Sequence, residues 1–541
     1  MPQIRLNGLQ RGSRKWLPGF RRYQDPDGIK FPSGRRGSFR ASMRGGTAVN
    51  PSSAAVIHSL AAEDFFIFIK RSRGEREMKT TEKMNYKLKE MEGDMLTPIM
   101  LYHQMQGEKK FLLESSYKHE QSGRYSFLGM NPTAEYKAIG QETERLNHRT
   151  GTSESSFGHS LRQLKEMLYN RGTTEQPFPF FGGGIGYIGY DVMFLDEQIG
   201  ESLEDELEMP DVHFMFYDTF IIYDHLLQKV TLAAVDLFGD RSEAELEAAL
   251  INLENCVNGI HQPLQADSLE TLLFTGNVDK AQFSEMVETA KRHIIRGDIF
   301  QVVLSQRLKA AFDGNPFSLY RRLRTSNPSP YMFYIDFKEY TVLGASPESL
   351  IKINGREVTT NPIAGTRPRG TDEKEDAALE RELLNDEKEI AEHRMLVDLS
   401  RNDLGRVCNI GTVHLSKYQK IEKYKYVMHI VSEVTGELKE EVHPLEALSA
   451  CLPAGTVSGA PKIRAMQIIN DLESTKRGLY AGAVGYISSN GDLDFALAIR
   501  TMIVKGNQAY VQAGAGIVYD SIPEKEYEET MHKAKALLEV K

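Results

Sequence analysis

Cysteine is scarce in this chain of 541 residues: Cys256, Cys408 and Cys451 stand far apart and form no CxxC pair. That spacing gives no basis for a disulfide framework or a zinc site, and a reducing cytoplasm is the expected location. Long apolar runs are missing too. None approaches the ~18 residues that a membrane-crossing helix needs, so no span is expected. Most of the chain also lacks a positive excess. Residues 1–80 hold 16 Lys and Arg against 6 Asp and Glu, but the chain total is −9, which leaves −19 for residues 81–541. That balance argues against nucleic-acid binding by the main body. No internal repeat is visible at the sequence level.

What remains is ordinary globular material, with 40% apolar and 26% charged residues. The basic stretch 1–83 is different. It is rich in Arg, Gly, Pro and Ser ("FPSGRRGSFRASMRGG"), shows little helical or strand period, and is expected to be disordered. A targeting peptide would need a continuous apolar segment and would not carry Asp25, Asp27, Glu63 and Asp64. An RNA-binding tail is a second alternative. The preferred expectation is an over-extended start, with translation beginning near Met78 or Met84.

Beyond it, periodicity separates helices from strands. "RSEAELEAALINLENCVNGI", "VDKAQFSEMVETAKRHIIRGD" and "PEKEYEETMHKAKALLEV" predict helices, and "EKEDAALERELLNDEKEIAEHRMLVDLSRNDLG" predicts one long helix. "HFMFYDTFIIYDHLLQKVTLAAVD" predicts a pair of strands. Asn354-Gly355 predicts the turn of a hairpin. Hairpins mixed with helices, without regular βαβ alternation, predict an α+β fold rather than a doubly wound sheet. "GIGYIG" (Gly184, Gly186, Gly189) matches a dinucleotide fingerprint, but it runs into alternating aromatic "YIGYD" and is expected to be strand.

Several groupings could carry chemistry. "NPIAGTRPRG" (361–370) confines its backbone with two prolines and two glycines, sets Thr366, Arg367 and Arg369 together, and places small Ala364 in the middle. It could be a turn or the floor of a site. Glu389 and Glu392, and likewise Glu526 and Glu529, are spaced i,i+3, which puts each pair on one helix face, with Lys533 beside the second. Two such faces meeting would suit Mg²⁺; apart, they are solvated surface. "PAGTVSGAPKIRAM" sets Gly455, Thr456, Ser458, Gly459 and Lys462 before a helix start, either as an anion site or as a glycine-rich cap. Gly514 and Gly516 offer close backbone approach at a strand end. His429, inside "YVMHIV", is a core histidine or a reacting one. Tyr480 and Arg500 could clamp a carboxylate.

Together these pieces resemble the chorismate-utilising enzymes, and among them the large aminase subunits that make anthranilate. "LLESS", "GRYSFLG", "GGGIGYIGYD", "GDIFQVVLSQR", "NPSPYMFY", "GASPESL", "PIAGTRPRG", "DEKEIAEHRMLVDLSRNDLGRV", "YVMHIVSEV", "PAGTVSGAPKIRAM", "YAGAVGYI", "AIRTMI" and "AGAGIVYDS" occur in the family's order across residues 90–541. The resemblance implies two β-sheets packed face to face with helices outside. It implies an N-terminal subdomain over 84–270, carrying part of a feedback site, and a catalytic region over 271–541. It also implies Mg²⁺ held by Glu392 and Glu529, with Glu389 and Glu526 as outer partners. Gly365, Thr366 and Thr456 would lie against the substrate. Tyr480, Arg500 and the backbone at Gly514 and Gly516 would hold the enolpyruvyl carboxylate, with Lys533 nearby. Glu348 would be the acid that protonates the departing hydroxyl, and His429 would serve the elimination.

Two positions choose the reaction. Relatives that add water carry lysine where this chain has Gln301, and relatives that attack covalently carry "PIKGT" where this chain has Ala364. The resemblance therefore implies that ammonia adds directly to C2 of chorismate, giving anthranilate and pyruvate. None of the three cysteines has the surroundings of a glutaminase nucleophile, so a separate glutamine amidotransferase subunit is the expected ammonia source. Glu114, Ser115, Pro330, Tyr331, Met332, Val484 and Tyr486 resemble a tryptophan feedback site, loosely joined by Arg124; the alternative for them is subdomain packing. The sole tryptophan, Trp16, lies in the N-terminal stretch, which agrees with an enzyme needed when tryptophan is scarce. The alternatives are an aminodeoxychorismate synthase component and a non-catalytic protein that binds chorismate or tryptophan.

Overall fold

Alternate residues of a strand point to opposite faces, and here they join different buried clusters. Phe111 and Phe333 pack in one cluster, whereas Leu112 and Met332 pack in another, under helices. In the computed structural model, which describes residues 84–115, 123–168, 176–259, 272–424 and 427–539, this alternation produces two 12-stranded sheets. Neighbouring strands pair antiparallel. The sheets face each other across a core that takes Phe111, Phe220 and Ile335 from the first and Tyr136, Phe214 and Phe495 from the second. Helices Glu243–Val257, Pro316–Ser326 and Pro523–Leu538 bury Leu250, Leu323 and Leu537 on the outer face of the first sheet. The expected α+β class and face-to-face sheets are what the chain adopts.

The stretch 1–83, with its expected disorder and alternative starts, lies outside the described residues. Lys79–Lys541 form one compact unit. Both regions expected within it feed both sheets: Tyr125–Gly129 and Tyr340–Ser346 lie in the first, Val212–Tyr217 and Leu493–Leu497 in the second. "GIGYIG" is strand, Gly183–Ile188, as its alternation predicts. Among the described residues no helix is long and apolar enough to cross a membrane.

Two stretches differ from their sequence readings. The expected strand pair at 213–236 is three strands, because the chain leaves the second sheet after Val212–Tyr217 and enters the first at Thr219–Asp224. A similar change of sheet separates Leu493–Leu497 from Thr501–Lys505, and Ser346 from Ser349. The long acidic helix is two helices, Glu373–Asn385 and Glu387–Val407. Asp386 stops the first with extended backbone (ψ 105°) and caps the second, its carboxylate accepting from the N–H groups of Lys388 and Glu389. Side-chain caps outcompete a continuous helix where an Asp can satisfy the freed donors. Asp386→Ala is expected to cost about 1 kcal/mol of unfolding free energy, measurable by urea denaturation; no loss would show the break to be imposed by packing alone.

Candidate active site

Two changes of sheet lie side by side and create the acid end of the site. Glu348 occupies the corner between Tyr340–Ser346 and Ser349–Asn354, and its carbonyl accepts from the Leu497 N–H at 2.9 Å. Ser346 Oγ donates to the Leu497 carbonyl at 2.7 Å. Thr456, from the glycine-rich loop, donates its hydroxyl to Glu348 Oε1 at 2.8 Å. Burial pushes the Glu348 carboxyl up to about 7, against the opposing pull of the Thr456 hydrogen bond and the Lys533 charge. A carboxyl poised there can give a proton near neutral pH.

The strand Ile363–Pro368 brings the second group. Its pairing with Val427–Glu437 shifts register between Ala364 and Thr366, where Gly365 adopts φ +76°. A side chain at Gly365 would press on Glu389 Oε2 at 3.2 Å and on Ile430 and Leu383. The bulge turns the Gly365 carbonyl and the Thr366 hydroxyl onto one nitrogen of His429, Nδ1, at 3.1 and 2.9 Å. A carbonyl can only accept, so Nδ1 carries the proton and Nε2 keeps its lone pair. Burial lowers the His429 pKa, which the Gly365 bond opposes and the Arg500 charge reinforces, so the ring is neutral and able to take a proton. Ala364 is buried in this strand and brings no functional group.

The two acidic faces come from different helices. Burial, then the charge of Glu392, raises the Glu389 pKa. At Glu526 burial and the charge of Glu529 raise the pKa while a Ser521 hydrogen bond opposes them, and the charge of Lys388 reaches it from the other helix. Gln301 stands beside the first of these faces: its Nε2 donates to Glu392 Oε1 at 3.3 Å, and a side chain at Gly516 would meet that Nε2 at 2.6 Å. Lys533 Nζ is engaged by Glu529 at 2.7 Å and donates to the Gly514 carbonyl at 3.1 Å. Among the described residues no three acidic, histidine or cysteine side chains already form a metal-holding group.

Arg500 supplies the cation. It sits at the second change of sheet with φ +50°, and burial lowers its pKa. Its guanidinium has no hydrogen-bond or ion-pair partner among the described residues. A desolvated cation without a partner is costly, and a ligand carboxylate would relieve that cost. Tyr480 is buried, its hydroxyl pushed up to about 12 and so a donor, and a side chain at Gly514 would meet that hydroxyl at 2.7 Å. The rest of the glycine-rich loop is structural: Lys462 pairs with Asp403 at 2.9 Å, and Ser458 Oγ donates to the Ala454 carbonyl. Of the loop residues weighed for an anion, Thr456 alone reaches Glu348 by a described hydrogen bond.

Residues 108–539 match the model of the chorismate binding enzyme family. This chain belongs to that family. Relatives include the anthranilate synthase component 1 of Lactococcus lactis, 45% identical over 84% of this chain and 99% of its own. That of Acetivibrio thermocellus is 45% identical over 83% of this chain and 93% of its own. The crystal structure of anthranilate synthase component I from Streptococcus pneumoniae shares the fold with a TM-score of 0.71, at 43% identity over 83% of this chain and 98% of its own.

In this member of the chorismate binding family a cavity of about 1030 Å³ lies between the sheets. Glu114, Ser115, Pro330, Tyr331, Met332, Val484 and Tyr486, the residues grouped from sequence as a feedback site, all line it, and so does Arg124. Three of them are already engaged. Both Glu114 oxygens are taken, by Arg324 at 2.8 and 3.0 Å and by Tyr320 at 2.8 Å, and Arg124 donates to Asp224 at 2.7 Å. Tyr331 donates to Asp494 at 2.9 Å.

The partners of two arginines, and the part taken by Tyr424, escaped the sequence reading. Arg367 fastens Asp386 (2.7 Å), Glu382 (2.9 Å) and Glu389 (3.6 Å), and Arg369 fastens Asp376. The Tyr424 ring packs edge-on against His429 with centroids 5.2 Å apart. Tyr424 also lines the large cavity, as do Pro347, Ser349 and Ile363. "TRPRG" marked the arginines, but their partners are distant in sequence and left no local signal.

Proposed function

We propose that this protein is the aminase component of an anthranilate synthase, converting chorismate and ammonia to anthranilate and pyruvate. The observation that carries the reading is that the site offers an acid, a base and an unpaired cation, while neither position 301 nor position 364 brings an amine to it. Position 364 is alanine and position 301 an amide, and the Lys533 amine is held by Glu529 and the Gly514 carbonyl. The nucleophile must then come from outside. Glu348 protonates the leaving hydroxyl, His429 Nε2 accepts the ring proton in the elimination, and Arg500 with Tyr480 holds a substrate carboxylate. The naming of the relatives as component 1 supports a partner subunit, here a glutamine amidotransferase that releases ammonia.

The donor set fits Mg²⁺ in kind. Glu389 and Glu392 repel each other, as do Glu526 and Glu529, and all are hard oxygen donors. Mg²⁺ keeps several waters and uses one or two protein carboxylates plus a substrate anion, so no pre-built cluster of three is required. Glu392 and Glu529 would hold it, with Glu389 and Glu526 outside them. Bound there, the ion supplies positive charge to the ring carboxylate of chorismate.

The test is purified protein with chorismate, Mg²⁺ and ammonium at alkaline pH, read by anthranilate fluorescence. Isochorismate or 4-amino-4-deoxychorismate as sole product would overturn the reading of Gln301 and Ala364. Tryptophan binding without turnover from any nitrogen source would favour a purely regulatory protein. Arg500→Gln is expected to lower kcat/KM by about 10- to 100-fold, chiefly through KM, since a charge-assisted bond is worth about 1.5–3 kcal/mol; an unchanged KM for chorismate would remove Arg500 from the substrate.

The inter-sheet cavity is the proposed tryptophan feedback site. Pro347 and Ser349, which flank Glu348, line it, and so do Ile363, two residues before Gly365, and Tyr424, which packs on His429. An occupant thus touches neighbours of each reacting group. Ser115→Ala and Met332→Thr should each raise the half-inhibiting tryptophan concentration by about tenfold, with kcat little changed. Unchanged inhibition in both variants would move the feedback site elsewhere.

A further inference from the structure

A second cavity, of about 540 Å³, lies apart from the catalytic groups, between the start of helix Pro98–Gln104, the end of strand Thr219–Asp224 and helix Pro316–Ser326. Arg321, Arg322 and Arg324 line it from one helix and His225 from the strand end, with Tyr223 and Ile99 as its apolar wall. Among the described residues no Asp or Glu lines it. The acids that touch its lining or the residues beside it are Glu114, held by Arg324 at 2.8 Å, Asp224, held by Arg124 at 2.7 Å, and Asp94, whose charge reaches Tyr223. Arg321 has no side-chain partner among the described residues.

We infer that this cavity binds a small, multiply charged oxyanion with a carbon body. Planar guanidinium groups match phosphate and carboxylate oxygens two at a time, so several arginines converging on a concave pocket whose described lining holds no acid favour such a ligand over a monovalent one. The volume exceeds a bare anion and falls in the range of small-molecule sites, about 300–1,000 Å³, and the Tyr223 and Ile99 wall suits the carbon body. Glu114 joins this cavity to the inter-sheet one: it lines the latter and holds Arg324 of the former.

The experiment is calorimetric titration of the full-length protein, without Mg²⁺ and at ionic strength fixed with sodium chloride. Inorganic pyrophosphate and citrate are the two probes. Saturable binding is expected, weakened about tenfold in Arg321→Gln/Arg322→Gln and about threefold in Arg321→Gln alone. It should be unchanged in Arg500→Gln, which reports on the catalytic site. Pyrophosphate preferred over citrate assigns a phosphate ligand, and the reverse a carboxylate one. Saturation by neither probe, equal affinity in both arginine variants, or weakening by Arg500→Gln instead would overturn the assignment.

Discussion

Glu348→Gln is expected to lower kcat for anthranilate formation by about 10²- to 10⁴-fold, the usual worth of a positioned general acid. The amide keeps the volume and can still accept from Thr456, whose hydroxyl lies 2.8 Å from Glu348 Oε1, so chorismate affinity should hold. The pH profile carries a second signature. Burial raises the Glu348 pKa to about 7, so the protonated form persists well above the usual carboxylate range. The competent acid is lost as pH rises through about 7. With ammonia delivered from glutamine by the partner subunit, kcat/KM should therefore fall on the alkaline side with that apparent pKa, and the limb should vanish in Glu348→Gln. With ammonium salts the limb is offset by the growing supply of free ammonia, so the two nitrogen sources should give different profiles. A normal kcat in the variant, or the same limb retained, would remove Glu348 from the proton path.

Glu392→Gln and Glu529→Gln should each reduce turnover by at least about 10²-fold, because each removes a negative charge from the proposed Mg²⁺ ligands. Folding should survive. Glu529 sits on an exposed helix face with Lys533, and exposed ion pairs contribute ~0–1 kcal/mol. A Mg²⁺ titration by calorimetry in the presence of chorismate should show weakened binding in both. Near-normal Mg²⁺-dependent rates in either variant would refute the metal assignment and leave the carboxylate pairs as surface charge.

Each site residue was legible as a type in a motif, but several did something other than its type suggested. Lys462 and Ser458 looked like anion holders in a glycine-rich loop; they are spent on Asp403 and on a carbonyl. Arg367 and Arg369 lay in a stretch that could have been a turn or the floor of a site; they tie down the acidic helices. The Arg500 guanidinium, in contrast, has no hydrogen-bond or ion-pair partner among the described residues. Which arginine is spent and which is free depends on residues far away in the chain, and no local pattern encodes it. The break at Asp386 is a milder case: the cap was there to be read, but the run of helix formers around it masked the stop.

The sequence alone determined the α+β class, the family resemblance, and the absence of an amine at positions 301 and 364, because these rest on local periodicity and on residue identity. The tertiary structure decided the chemistry available to those residues. It set Glu348 at a corner between sheets, where desolvation raises its pKa, and turned His429 Nδ1 onto the Gly365 carbonyl so that Nε2 stays free. It also gathered the feedback candidates around a single cavity between the sheets. Proton affinity, tautomer and pairing are properties of surroundings, and the surroundings exist only once distant strands have met.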